Sequence, residues 1–304
     1  MRSALLLLFL CGACTDAPVA TPAPPPSPSS KRDAAAAAPS PFVIANWNLE
    51  WFGSTAEGPS DEELQFANVT KVMRSVRADL WSVQEIIDVD ALRRLGAEVG
   101  GYESLASSEE AVESGSTVYR SATALKLGIV YRPERVEVRG ARVILTSDLA
   151  PFNGRAPLEI DLSTKPGGTA LTMVVVHLSP GGDAASYEKR KTAAALLKGH
   201  LDAKPSGSLV IVAGDFNDGL EKSSFEGSET PFSGFLNDAA YTFATRGLES
   251  PRYPFIIDHQ LVTDDLAASL VAGSAGVVNG DTLIQSYIAT TSDHDPVTAA
   301  YDLP

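Results

Sequence analysis

The sequence predicts an α+β (α/β) fold in which two packed, mixed β-sheets are flanked by helices. Three observations carry this expectation. Apolar strand-like runs outnumber helical patterns from residue 42 onward. Some of these runs pair as hairpins, as at 158–162 and 171–176 around Lys165-Pro-Gly-Gly168, while others alternate with helices; a simple parallel sheet would show only the alternation. Finally, several runs end in a polar residue, which is costly to bury unless the strand ends converge on one site.

In chain order, Met1-Arg-Ser-Ala-Leu-Leu-Leu-Leu-Phe-Leu-Cys-Gly-Ala-Cys14 has a positive start, a short apolar core and small residues before a cysteine. It reads as a secretory signal and is too short to span a bilayer as a helix. Its Gly12-Ala13-Cys14 end suggests the bacterial lipoprotein type, with Cys14 lipidated, although Cys11 stands where an aliphatic residue is usual; an ordinary cleaved signal is the alternative. Residues 15–41 are Ala, Pro, Ser and Thr almost throughout and read as an extended tether. Residues 42–304 are expected to form one domain. Cys11 and Cys14 are the only cysteines, so the mature domain is expected to hold together without a disulfide.

Within the domain, 42–48 reads as a strand. Ser60-Asp-Glu-Glu63 marks a capped helix start, with Leu64, Val69, Val72, Met73 and Val76 as its apolar face. Residues 79–83 form a second strand running into Gln84-Glu85, and a helix follows through 91–99. Residues 106–123, rich in Ser, Glu and Gly, read as a surface loop. Strands follow at 125–131 and 136–145, the latter with Val138, Ala141, Val143 and Leu145 as core positions. After the hairpin comes a helix at 187–201, with Ala194, Leu197 and Leu201 on one face. Leu209-Val-Ile-Val-Ala-Gly-Asp-Phe-Asn-Asp218 is a buried strand that ends in polar groups. Residues 219–231 are loop and 235–245 carry no clear pattern. Strands at 255–262 and 296–301 complete the chain.

The net charge of −14, from 38 acidic against 24 basic residues, argues against a basic module that coats nucleic acid. It does not exclude an enzyme that meets a polyanion through a bound cation. The strand ends deliver Asn46 and Asn48, Gln84 and Glu85, His177, Asp215 and Asn217, Asp258 and His259, and Asp293 and His294. Three of the four histidines fall in these segments; His200 lies late in a helix, where a dipole contact or solvent suffices. Glu85 with Asn48 is an all-oxygen set suited to a hard cation such as Mg²⁺ or Mn²⁺. A phosphodiester needs charge neutralisation, an activated water and donors for developing charge. The cation, Asp215 and His177 or His294 would supply these in turn.

These segments resemble the endonuclease/exonuclease/phosphatase, or DNase-I-like, superfamily. The resemblance rests on Asn46-Trp-Asn-Leu-Glu-Trp51, Ser82-Val-Gln-Glu85, Leu127-Gly-Ile-Val-Tyr-Arg132, Val176-His-Leu178, Ala213-Gly-Asp-Phe-Asn217, Ile257-Asp258 and Ser292-Asp-His-Asp-Pro-Val297, in the family's order. It implies a four-layer αββα sandwich with the site at one end of the two sheets. It further implies that Asn48 and Glu85 hold the metal (Mg²⁺ or Mn²⁺, with Ca²⁺ as the alternative), with Asp293 nearby either as a further ligand or as a group just behind the ligands. Asp215 would activate the water and Asn217 orient it, His177 and His294 would donate to phosphate oxygens, and Asp258 would orient His294. Ala124-Leu-Lys126 stands where family members often carry a carboxylate for the first histidine, so His177 is expected to lack such a partner. His259 is expected to be packed or to face the groove, Glu50 to be a solvent or structural residue, and Arg190 to make a structural ion pair. Arg246, Arg252 and Tyr253 are candidate contacts to a phosphate backbone, with surface charge the alternative.

The function expected is an exported nuclease acting on DNA, RNA or both, in the cell envelope or outside the cell. It would touch the membrane only through a lipid anchor, need no protein partner and act as a monomer. A phosphoesterase for sphingomyelin or a soluble phosphorylated metabolite is the alternative. An inactive binding protein on the same scaffold is the third reading, disfavoured because no member of the core set is missing.

Overall fold

The computed structural model describes residues 40–303. The expected signal, Cys14 and all of the tether but its last two residues lie outside the described residues. The first sheet contains β1 (Phe42–Phe52), β2 (Leu80–Ile86), β3 (Glu103–Ala106), β4 (Lys126–Tyr131), β11 (Gly276–Val277) and β12 (Val297–Tyr301), in the order β11-β12-β1-β2-β4-β3. The second contains β5 (Val136–Val143), β6 (Leu158–Thr164), β7 (Ala170–His177), β8 (Val210–Asp215), β9 (Tyr241–Phe243) and β10 (Asp258–Thr263), in the order β5-β6-β7-β8-β10-β9. Each sheet has one parallel pair at its centre, β1–β2 and β7–β8, and antiparallel pairs elsewhere.

Each parallel pair is bridged by a helix, because parallel neighbours need a crossover. Between β1 and β2 runs α1 (Glu62–Val76), capped by Asp61, which accepts from Leu64 N, and preloaded with Glu62 and Glu63 in its first turn. After β2 comes α2 (Val89–Val99), capped by Asp88. A single turn, α3 (Gly115–Val118), precedes β4, and α4 (Ala184–Asp202), capped by Asp183, joins β7 to β8.

Three apolar clusters separate four layers. Between the sheets, Ile44, Leu80 and Ile129 pack with Leu158, Ile160, Met173, Val175 and Ile211. Outside the first sheet, Trp47, Trp81 and Val83 meet Val69, Val72 and Met73 of α1 and Leu92 and Leu95 of α2. Outside the second, Val174, Val176, Val210 and Val212 meet Ala194, Leu197 and Leu201 of α4. Central strands are covered on both faces, which is why they read as unbroken apolar runs. Truncating a fully buried member such as Leu197 to Ala should cost about 2–5 kcal/mol.

Several expectations are corrected. Leu64 is 41% exposed, and the buried face of α1 is instead Gln65, Phe66, Val69, Thr70, Val72 and Met73. Gln65 is buried because its amide donates to Leu49 O, Glu50 O and Thr291 O. The span 106–123 is not a surface loop throughout: Val112 and Tyr119 are core residues, and the Tyr119 hydroxyl donates to Ala156 O. β10 starts at Asp258 rather than 255, and β3, β9 and β11 are too short to show periodicity. His200 is not left to solvent: its Nε2 lies 2.7 Å from the buried Glu159, which Lys204 and Arg142 also engage.

Candidate active site

Three candidate residues stand abreast on neighbouring strands of the second sheet. His177 pairs in register with Asp215, and Asp215 with Asp258. In-register neighbours project to the same face, so this row aims an imidazole and two carboxylates at one place. All three are buried. Gly214 lets β8 pass close to β7: a Cβ there would lie 2.0 Å from Val176 O.

The first sheet supplies the facing groups through a distortion. The β1–β2 register shifts between Asn48 and Phe52. Glu50, Trp51 and Glu85 all have positive φ (51°, 53° and 60°), a conformation few non-glycine residues adopt and one typical of functional sites. The double bulge turns Glu85 inward. Its carboxylate accepts from Asn48 Nδ2 at 3.0 Å and from Trp51 N at 3.1 Å. Asn48 Nδ2 also reaches Asp215 Oδ2 at 3.1 Å, linking the two sheets.

Asp215 Oδ2 is the point of convergence. His177 Nε2 lies 3.5 Å from it and His294 Nε2 3.7 Å, while Asn217 N donates to the other oxygen at 2.8 Å. Asn217, itself at positive φ (55°), anchors its amide nitrogen on Leu178 O. His294 is pinned more firmly: its Nδ1 lies 2.7 Å from Asp258 Oδ2, and its carbonyl accepts from Trp47 Nε1 and the Tyr287 hydroxyl.

The two histidines are electrostatically opposite. Burial, with the charges of Arg155 and His294, holds His177 well below its ordinary range. Burial also opposes protonation of His294, but the Asp258 and Asp215 carboxylates outweigh it and raise His294 well above that range. Thus His177 is neutral and His294 a cation near neutral pH. Burial pushes Asp215 upward, aided by Asp258 and opposed by His294. Among the described residues His177 Nδ1 is buried without a hydrogen-bond partner, and Ala124-Leu-Lys126 offers it no carboxylate. Lys126 instead donates to the carbonyls of Ile87, Ala122 and Ala124.

Asp293 and Tyr253 also reach the site. Asp293 Oδ1 is 3.8 Å from His294 Nε2, and the Tyr253 ring packs on the His294 ring while its hydroxyl donates to Asp293 O. Arg252 does not line the cleft as a free cation; it is buried in an ion pair with Asp295 and reaches Asp281. Arg246 is exposed and pairs with Glu221. His259 is packed, with Nδ1 on Thr245 and Nε2 on Asp218 O, and Arg190 makes its fully buried ion pair with Asp218.

Near the centre stand Glu50, which the sequence assigned to solvent or to structure, and Arg155, for which it offered no expectation. Glu50 accepts from Asp293 N, and burial together with the charges of Asp293 and Glu85 pushes its carboxyl up to about 7. Its position two residues after Asn48 was the available signal. Arg155 is buried and donates to the carbonyls of His177 and Leu178. Nothing in its local pattern marks it, because its partners are backbone atoms on another strand.

The donor set fits a hard cation. Glu85 and Asp215 both converge on the Asn48 amide, with Glu50 and Asp293 adjacent, so the oxygens needed are already gathered. Asp215, Asp258 and His294 form a second group with potential ligand atoms within 4.8 Å of one another. There, however, Asp258 is already committed to His294.

A family model described as the Endonuclease/Exonuclease/phosphatase family matches residues 45–294. An endonuclease/exonuclease/phosphatase from Bacteroides vulgatus aligns with TM-score 0.62 at 15% identity, over 88% of this chain and 100% of its own. D. rerio TDP2 complexed with single strand DNA product gives 0.62 at 14% identity, over 87% and 100%. A Bacteroides thetaiotaomicron mannosyl-6-phosphatase gives 0.58 at 14% identity, over 85% and 98%. At these identities the likeness establishes the fold and leaves the substrate open. No curated protein matches the sequence.

Proposed function

The chain belongs to the endonuclease/exonuclease/phosphatase family, whose members hydrolyse phosphoester bonds, and from that premise we propose that it is a divalent-metal-dependent phosphodiesterase acting on nucleic acid. The observation that carries the reading is the convergence of His177, His294 and Asn48 on one oxygen of Asp215. Glu85 and Asn48 would hold the cation, with Asp293 beside them. When bound, a divalent cation neutralises charge on the phosphate. Asp215 takes the proton of the attacking water, and Asn217, fixed by Leu178 O, orients that water. His294 donates from Nε2 to a phosphoryl oxygen as negative charge develops, and neutral His177 adds a second donor. Water oxygen bonds to phosphorus as the ester P–O bond breaks, and the leaving oxygen departs with the bonding pair and takes up a proton from solvent.

Export is part of the proposal and rests on the first fourteen residues alone, with Cys14 as the anchor site. Among the described residues no helix is long and apolar enough to cross a membrane. With Arg252 occupied and Arg246 paired, neither of the two candidate arginines is free to track a phosphate backbone, which keeps a small phosphoester as the second reading. The deciding experiment incubates the full chain with supercoiled plasmid, with and without Mg²⁺ or Mn²⁺, beside His294→Ala. Metal-dependent nicking lost in the variant supports the nuclease. A folded protein that fails to nick shifts the assignment to sphingomyelin or phosphorylated metabolites, which are then assayed directly.

A further inference from the structure

The two sheets are joined at the site end by a polar seam with a fixed direction. Ser82 Oγ donates to Ala213 O across the sandwich. Its lone pairs therefore receive Gln84 Nε2, at 2.9 Å. The same nitrogen gives its other hydrogen to Asn46 Oδ1, also at 2.9 Å. With its oxygen so engaged, Asn46 must present Nδ2, which donates to Asp258 Oδ1 at 3.1 Å. Asp258 then turns its second oxygen to His294 Nδ1. Flipping the Asn46 amide would set its oxygen against Asp258 Oδ1 and its nitrogen against Gln84 Nε2, and flipping the Gln84 amide would set its oxygen against Asn46 Oδ1, so each bond supports the next. All five residues are buried. The seam also leaves Gln84 Oε1 buried without a partner among the described residues. An apolar side chain at 84 would avoid that cost, which marks the arrangement as more than filler.

We propose that Asn46 is a positioning residue for hydrolysis, acting through Asp258 on His294, with Gln84 and Ser82 fixing the orientation of its amide. The proposal rests on the phosphodiesterase reading for its kinetic consequence and on geometry for its structural one. Asn46 touches neither substrate nor reacting atoms. It occupies one carboxylate oxygen of Asp258 and so leaves the other in a single orientation, in which His294 keeps its proton on Nδ1 and its Nε2 toward Asp215. Without it, Asp258 can rotate, and the His294 ring loses its fixed aim.

The test uses the full chain and bis(p-nitrophenyl) phosphate with Mn²⁺, comparing wild type, Asn46→Ala, Asp258→Ala and the double variant. Asn46→Ala is expected to lower kcat by about 10–100-fold with KM little changed. The double variant is expected to be no worse than Asp258→Ala, because the two act as a unit. Unchanged kcat in Asn46→Ala, or strictly multiplicative losses in the double variant, would overturn the proposal. A second readout does not need activity. The imidazole Nδ1–H resonance of His294, identified by its loss in His294→Ala, should exchange faster with water in Asn46→Ala and in the near-isosteric Gln84→Leu. Equal exchange in these folded variants overturns the proposal. If wild type hydrolyses nothing, the phosphodiesterase reading fails while the exchange comparison still decides the seam.

Discussion

Asp258 Oδ2 lies 2.7 Å from His294 Nδ1, yet the two residues come from opposite sheets. Asp258 opens β10 of the second sheet, and His294 sits just before β12 of the first. The aim of the His294 ring is therefore a property of the whole sandwich. The charge of that carboxylate, together with that of Asp215, also outweighs burial and raises His294 well above its ordinary range.

Replacing Asp258 with Asn removes the charge and allows the amide to favour the wrong tautomer. Turnover of a phosphodiester should fall by about 10²–10⁴-fold. The titration of His294, followed by NMR, should move downward. A variant in which His294 titrates as in wild type would show that Asp258 does not control it.

Asp215→Ala should abolish hydrolysis, by at least about 100-fold, while thermal stability stays nearly unchanged. Asp215 is a buried carboxylate beside Asp258, and burial already disfavours its charged form. Removing it relieves that opposition and offsets the lost bonds to Asn48 and Asn217. A collapse of the melting temperature would instead assign Asp215 to capping the turn after β8.

The sandwich was legible because its long strands are covered on both faces and α1 carries its cap at Asp61, whereas the Asp183 cap of α4 was not read and that helix was expected to begin at 187. The site was legible wherever a polar residue interrupts or ends such a run, as His177, Asp215 and Asp258 do. Glu50 was not, since its role depends on the positive φ it shares with Trp51, and nothing in Asn46-Trp-Asn-Leu-Glu-Trp51 announces a bulge. Arg252 looked like a free cation because its partner Asp295 lies far along the chain. Gln65 carried no expectation, yet its amide donates to two carbonyls at the bulge of β1, Leu49 and Glu50, and to that of Thr291.

If Glu85 and Asn48 hold the cation, Mg²⁺ or Mn²⁺ should raise the melting temperature, because binding to the native state alone stabilises by about 2.7 kcal/mol at 100 times Kd. Glu85→Ala should lose most of that rise, while His200→Ala, on the far side of β6, should keep it. An equal metal-induced rise in Glu85→Ala would place the cation with Asp215, Asp258 and His294 instead.

His259 gives the clearest pH dependence. It is fully buried between Phe216 and Phe243 with both ring nitrogens bonded, and burial depresses it from 6.5 to about 4. A base whose folded pKa lies below its unfolded value is neutral in the native state and charges first in the unfolded one. Its contribution is therefore present above the unfolded value of 6.5 and lost as pH falls toward 4. The loss amounts to about 3 kcal/mol across that window. Glu50 and Asp215, both raised, act in the opposite sense there, so the measurement must be a difference. Urea unfolding of wild type and His259→Gln at pH 7 and pH 4 isolates it: the deficit of the variant should shrink by about 3 kcal/mol at the lower pH. A deficit that stays constant would mean that His259 is no more reluctant to take a proton in the folded protein than in the unfolded chain.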